Sequence, residues 1–166
     1  MMTYQELFEC GENYHQYLGR GTRNEILEVS KVADLLNTDL QINQEALDQL
    51  LSISKPVKLL VAAEMWCPFC QLQLSVLNKI CEINSLFKMS IITKGRAEDE
   101  IKSRLEIDEV LIPVVVILDE RFEMVDFYSE CPSGSCPSYE YENIKSDCKL
   151  GGYLNRTVTD LIKAIK

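Results

Sequence analysis

The chain has 166 residues, of which 46% are hydrophobic, and a formal net charge of −9. That is enough apolar material for one domain with a substantial core, and a surface of that sign repels nucleic acid and anionic membranes, which sets both aside as partners. No apolar run approaches the roughly 20 residues of a bilayer span, and the opening MMTYQELFECGENYHQ has neither the basic head nor the apolar stretch of a secretory leader, so a cytoplasmic location is expected.

Residues 1–55 read as a helical extension. Tyr4, Leu7, Phe8, Tyr14 and Leu18 recur near one face until Gly19 and Gly21 interrupt them. TRNE at 22–25 has the form of a capping box, and Ile26, Val29, Ala33 and Leu36 follow on one stripe. A third helix is expected from about Asn43, burying Ala46, Leu47, Leu50 and Leu51. Nothing in this third of the chain reads as a strand.

The pattern changes at Pro56, where the second region, 56–166, begins. Val57 to Ala63 is short, apolar and bounded, as a strand buried on both faces would be. The helix after Cys67 carries two apolar stripes, one with Cys70, Leu74, Leu77 and Cys81, the other with Leu72, Val76, Ile80 and Ile83, so it should be covered on two sides. A strand at 88–93, an exposed charged helix at 97–107 and a β-branched strand at 112–119 follow, the last with a hairpin partner in FEMVDFY. A helix from about Ser138, a stop at Gly151–Gly152 and a final helix complete the reading. Strands joined by a helix, as 57–63 and 88–93 are, should run parallel through a right-handed crossover.

The seven cysteines are too few for a disulfide scaffold, and in a reducing compartment a close pair points to catalysis or metal binding rather than to a permanent staple. Cys67 and Cys70 form such a C-x-x-C pair at the start of a helix. They could be a redox pair, half of a metal site, or two inert thiols. The redox reading has a physical basis. A free thiol titrates near pH 8.5, and a helix N-cap lowers that value because unpaired N–H groups and the helix dipole favour an anion. Pro68 suits the first helical position, where its missing N–H costs nothing. Cys67 should then be the exposed nucleophile and Cys70, one turn on, the thiol that resolves the mixed disulfide.

AEMWCPFC followed by LIPVVVILDERFEMV resembles the thioredoxin superfamily over about residues 55–130, and the helical extension is similar to that of a bacterial thioredoxin-like subgroup. The resemblance implies an α/β thioredoxin fold, a central mixed sheet with flanking helices. It also implies a cis-proline at Pro113 facing the dithiol, with Ile112 offering its backbone to an extended substrate. Trp66 would flank the pair as an apolar surface, and Pro68 and Phe69 would complete the substrate-binding rim. Protein or small-molecule disulfides would be the partners, with an unidentified reductase or low-molecular-weight thiol as electron donor and no cofactor or metal. Two departures stand out. Pro-Phe between the cysteines is a glutaredoxin-like dipeptide, and glutaredoxin potentials lie near −200 to −230 mV against about −270 mV for thioredoxin. Where typical thioredoxins place a buried Asp, this chain has Val61, which leaves Glu64 as the nearest carboxylate to accept the Cys70 proton.

The remaining candidates are weaker. Cys81 lies about 16 Å along the helix axis from Cys70, too far for a disulfide, and reads as a small core residue, as does Cys10. Cys131, Cys136 and Cys148 are spare thiols, a second disulfide or part of a zinc site, although their spacing matches no structural-zinc pattern. The single histidine, His15, reads as a surface or packing residue. Besides thiol–disulfide exchange, three readings stay open: glutaredoxin-type reduction of mixed disulfides, a non-catalytic adaptor docking through the extension, and a zinc-bound form.

Overall fold

The apolar run after Pro56 forms β1 (Val57–Ala62), buried at every position but Lys58. In the computed structural model, which describes residues 1–38, 42–129 and 147–166, β1 is an inner strand of a four-stranded sheet ordered β2-β1-β3-β4. β2 (Phe87–Ile92) runs parallel to it, Val57 opposite Phe87 and Ala62 opposite Ile92. β3 (Val114–Leu118) runs antiparallel on the other side with Val61 opposite Val115, and β4 (Met124–Ser129) pairs antiparallel with β3. The five residues of β3 are all buried, as a continuous β-branched run requires. The sheet is therefore mixed, as expected, and the hairpin lies where FEMVDFY placed it.

Among the described residues, four helices precede the sheet: α1 (Tyr4–Cys10), α2 (Tyr14–Leu18), α3 (Arg23–Thr38) and α4 (Gln44–Leu51). The capping box at the head of α3 is formed: Glu25 accepts the Thr22 N–H at 2.7 Å while Thr22 Oγ1 accepts the Glu25 N–H at 3.3 Å. Two expectations fail here. The first helical stretch is broken at Gly11, and a strand-like contact replaces the break. Glu12 and Ile91 exchange backbone hydrogen bonds of 2.8 Å in both directions, so the extension pairs with the outer edge of β2. Gly11 makes this approach possible, since a Cβ there would lie 2.1 Å from Ser90 Oγ and 3.1 Å from the Ile91 carbonyl oxygen. Leu51, read as a core residue, is exposed at the end of α4.

α5 (Pro68–Ile83) follows β1, and its residues from Phe69 to Leu77 are all buried. α3 packs against it, as does α7 (Asp147–Ile165). The polar side chains on so enclosed a helix are satisfied, as burial demands. Gln71 Nε2 donates to the Met65 carbonyl at 2.7 Å, and Ser75 shares a 3.0 Å hydrogen bond with the Tyr14 hydroxyl. Gln73 donates to Tyr128 on β4 at 2.7 Å and accepts from the Tyr153 hydroxyl on α7.

The charged segment behaves differently from its reading. α6 covers Lys94–Glu100, and the chain turns from 101 to 106, with Glu106 at φ 54°. Ala97, Ile101 and Leu105 are buried, which pulls the segment onto the core instead of leaving a free helix. Gly151 and Gly152 do not stop a helix either, since α7 runs straight through them. Each glycine costs about 1 kcal/mol relative to alanine, offset by burial of Leu150, Tyr153, Leu154, Val158, Leu161 and Ile162 along one face. The expected helix start near Ser138 lies outside the described residues. Among those residues, no helix is long and apolar enough to cross a membrane.

The two glycine environments predict opposite outcomes. A Cβ at Gly152 would meet nothing within 4 Å, so Gly152→Ala should stabilise the fold by up to about 1 kcal/mol. Gly11→Ala should destabilise it by about 1–3 kcal/mol through overpacking against β2. Urea midpoints at unchanged m-value measure both.

Candidate active site

Ala62 ends β1 and Ala63 follows it, both buried, and the turn 64–67 carries the chain to α5. Glu64 O accepts the Cys67 N–H at 3.2 Å, which closes the turn and leaves Cys67 as the N-cap of α5 in extended backbone geometry. Its sulfur occupies the position that a capping oxygen usually holds and accepts the Cys70 N–H at 3.3 Å. Pro68 takes the first helical position.

The two thiols are free and their environments differ. A hydrogen bond from the Cys70 thiol, joined by the Cys70 and Phe69 backbone N–H groups, brings the Cys67 thiol down to about 7, although burial and the Glu64 charge oppose this. Cys70 has no exposed surface, and burial, together with the proton it shares with Cys67, holds its thiol well above the ordinary value. One thiol is thus lowered by the hydrogen bonds its sulfur accepts and the other raised by burial, within a single helical turn.

Cys67 is more enclosed than the sequence suggests. Only 8% of it is exposed, because the loop before β3 lies against its sulfur, with the Ile112 carbonyl oxygen 3.9 Å away. The Ile112–Pro113 peptide is cis, and both residues are buried. Trp66 is 64% exposed beside the dithiol, so it is not a core aromatic; Pro68 is also exposed, whereas the Phe69 side chain packs inward. The half-buried Glu64 directs a carboxylate oxygen to the Lys94 N–H at the start of α6, at 2.8 Å. Val61 is fully buried in β1.

The structure also brings in a residue absent from the sequence reading. Tyr17 of α2 is completely buried, and its hydroxyl donates to Glu64 O at 3.0 Å. Burial, and then the two cysteines, push its hydroxyl above the ordinary tyrosine value. A tyrosine on a short amphipathic helix reads as core, and only the three-dimensional contact connects it to the dithiol.

Of the other cysteines, Cys81 is half-buried, its thiol pushed up to about 12 by burial. Cys10 is exposed rather than in the core: it ends α1, where its thiol donates to Leu7 O at 3.4 Å and its sulfur accepts from Arg96 at 3.3 Å. Cys131 and Cys136 lie outside the described residues, and nothing is described for the Cys148 side chain. His15 is exposed on α2 with its ring against Tyr14. Among the described residues, no three His, Cys, Asp or Glu side chains stand together as a metal ion would need.

A family model described as thioredoxin matches residues 11–137, and the chain belongs to that family. Among solved structures, a protein of unknown function from Pseudomonas aeruginosa is 32% identical, with a TM-score of 0.85 over 99% of this chain and 98% of that one. An HIV epitope-scaffold is 30% identical, with a TM-score of 0.86 over 99% and 98% of the two chains. No curated protein matches the chain.

The asymmetry of the pair gives a measurable signature. Alkylation of Cys67 should rise with pH through a midpoint near 7. At neutral pH about half of its sulfur would then be thiolate, against a few per cent for a free cysteine. Cys70 should stay unmodified over the same range. Quantifying the Cys67 and Cys70 peptides by mass spectrometry after timed alkylation measures both.

Proposed function

We propose that this chain is a thiol–disulfide oxidoreductase acting on protein or low-molecular-weight disulfides in the cytoplasm, with Cys67 as nucleophile and Cys70 as resolving thiol. The observation that carries this reading is the Cys67 sulfur held on the first turn of α5 by the Cys70 N–H, with the partner thiol buried behind it.

The cycle uses these groups, a base, a substrate disulfide and a thiol donor. The Cys67 thiolate attacks one sulfur of the substrate, its S–S bond breaks, and the departing thiolate takes a proton from solvent. Cys70 then gives up its proton and attacks the Cys67 sulfur, releasing the second substrate thiol and leaving Cys67–Cys70 oxidised. Two electrons and two protons have passed to the substrate. A reduced thiol or dithiol donor reverses these steps on the enzyme. Glu64 is the proposed acceptor of the Cys70 proton. Its charge already acts on both thiols, and proton loss from a thiol with no exposed surface needs a local base. Trp66 and Pro68 would form the apolar rim against which a substrate packs, and the Ile112 backbone beside the sulfur would receive its main chain.

Cys67→Ser should abolish disulfide reduction. Cys70→Ser should leave a covalent mixed disulfide between Cys67 and a protein substrate, visible on non-reducing gels. The Pro-Phe dipeptide favours one rival, in which Cys67 alone turns over mixed disulfides with a small thiol; steady turnover of a glutathionylated peptide by Cys70→Ser would select it. Partner binding that survives the double serine variant, with no activity in the native chain, would select the adaptor.

Glu64→Gln should shift the pH–rate profile for resolution and slow that step by about 10- to 100-fold, by loss of a general base. Single-turnover kinetics across pH 5–9 measure it, and an unmoved profile removes Glu64 from the mechanism.

A further inference from the structure

The turn that delivers Cys67 to its helix is held from both sides. On the α5 side, Gln71 Nε2 donates to Met65 O at 2.7 Å. On the other side stands the N-terminal extension. Tyr17 donates its hydroxyl to Glu64 O at 3.0 Å, and this same oxygen accepts the Cys67 N–H at 3.2 Å. Gly21, just beyond α2, lies so close to the turn that a Cβ there would come within 2.4 Å of Met65 Cε.

Tyr17 is itself anchored. Arg20 lies over its ring at 5.9 Å and pairs with Glu12 at 2.7 Å, and Glu12 is bonded to Ile91 of β2. A continuous path therefore runs from the sheet edge through α2 to the backbone of the dithiol turn. Tyr17 is also suited to donate throughout a redox cycle, because burial beside two sulfurs keeps its hydroxyl protonated.

We propose that Tyr17 is a positioning residue of the dithiol: its hydroxyl, supplied by the N-terminal extension, fixes the Glu64–Cys67 turn and so keeps the Cys67 sulfur on the first N–H groups of α5. The inference rests on the oxidoreductase reading and adds to it that the redox site is completed by residues that precede the sheet.

The full-length reduced protein tests it through the pH dependence of Cys67 alkylation by iodoacetamide, read at the Cys67 peptide, with urea stability measured alongside. Tyr17→Phe removes one hydroxyl and keeps the ring. It should move the midpoint upward by about half a unit, which leaves about threefold less thiolate below the midpoint. Tyr14→Phe is the control, since it removes another buried hydroxyl of α2, one bonded to Ser75 and not to the turn. It should lower stability without moving the midpoint. Equal midpoints in the native chain, Tyr17→Phe and Tyr14→Phe would make Tyr17 merely structural and overturn the proposal. Should Tyr17→Phe not fold, Tyr17→Met, which also lacks the hydroxyl but fills the site with a flexible apolar chain, takes its place, and an unmoved midpoint there overturns the proposal equally. A native chain whose Cys67 titrates like a free thiol would refute the oxidoreductase reading itself, an outcome distinct from failure of the Tyr17 inference alone.

Discussion

The candidate site depends on one contact, that of the Cys67 sulfur with Cys70, through the Cys70 thiol and the Cys70 backbone N–H. The Cys70 amide at 3.3 Å from Cys67 Sγ is an ordinary N-cap contact with sulfur in place of oxygen. It exists because β1 ends in a buried alanine, the chain turns within four residues, and a proline starts the helix. The rest of the fold preserves that contact. The apolar sheet fixes where the turn begins, and a helix buried at every position from Phe69 to Leu77 fixes where it ends. The loop before β3 lies against the sulfur and limits its exposure.

The parallel β1–β2 pair, the β3–β4 hairpin and the start of α5 were legible because each depends on local rules: continuous apolar runs for buried strands, a helical crossover for parallel pairing, and a proline at the first helical position; the antiparallel pairing of β1 with β3 was not. The cysteine pair was legible for the same reason. Elements set by long-range packing were not. Gly11 reads as an ordinary helical position until β2 is seen to approach it, and Gly151–Gly152 reads as a stop until the buried face of α7 is seen to carry the helix through. The enclosure of Cys67 depends on Ile112, far along the chain, and no local pattern encodes that distance. Tyr17 was hidden for a further reason, since the hydroxyl that gives it a role does not alter its apolar periodicity.

The helices before the sheet thus do more than add bulk. α3 covers α5, while α1 and α2 lie along β2. The family match begins at residue 11 and so takes in α2 together with the sheet. With a valine in the strand where typical thioredoxins carry a buried acid, the polar groups around the cysteines come from elsewhere: a carboxylate in the turn and a phenol from another helix.

The contact between Glu12 and Ile91 has a consequence for how this chain meets its own copies. An outermost strand presents unpaired amides and carbonyls on which a neighbouring chain can add a strand of its own. Here the amide and carbonyl of Ile91 are already taken by residue 12, and Ser90 turns its hydroxyl to Phe8 O at 2.6 Å. Residue 12, between α1 and α2, occupies the pairing position at Ile91, so a strand added in register would have to displace it there. The segment that carries Tyr17 therefore also covers part of this border of the sheet.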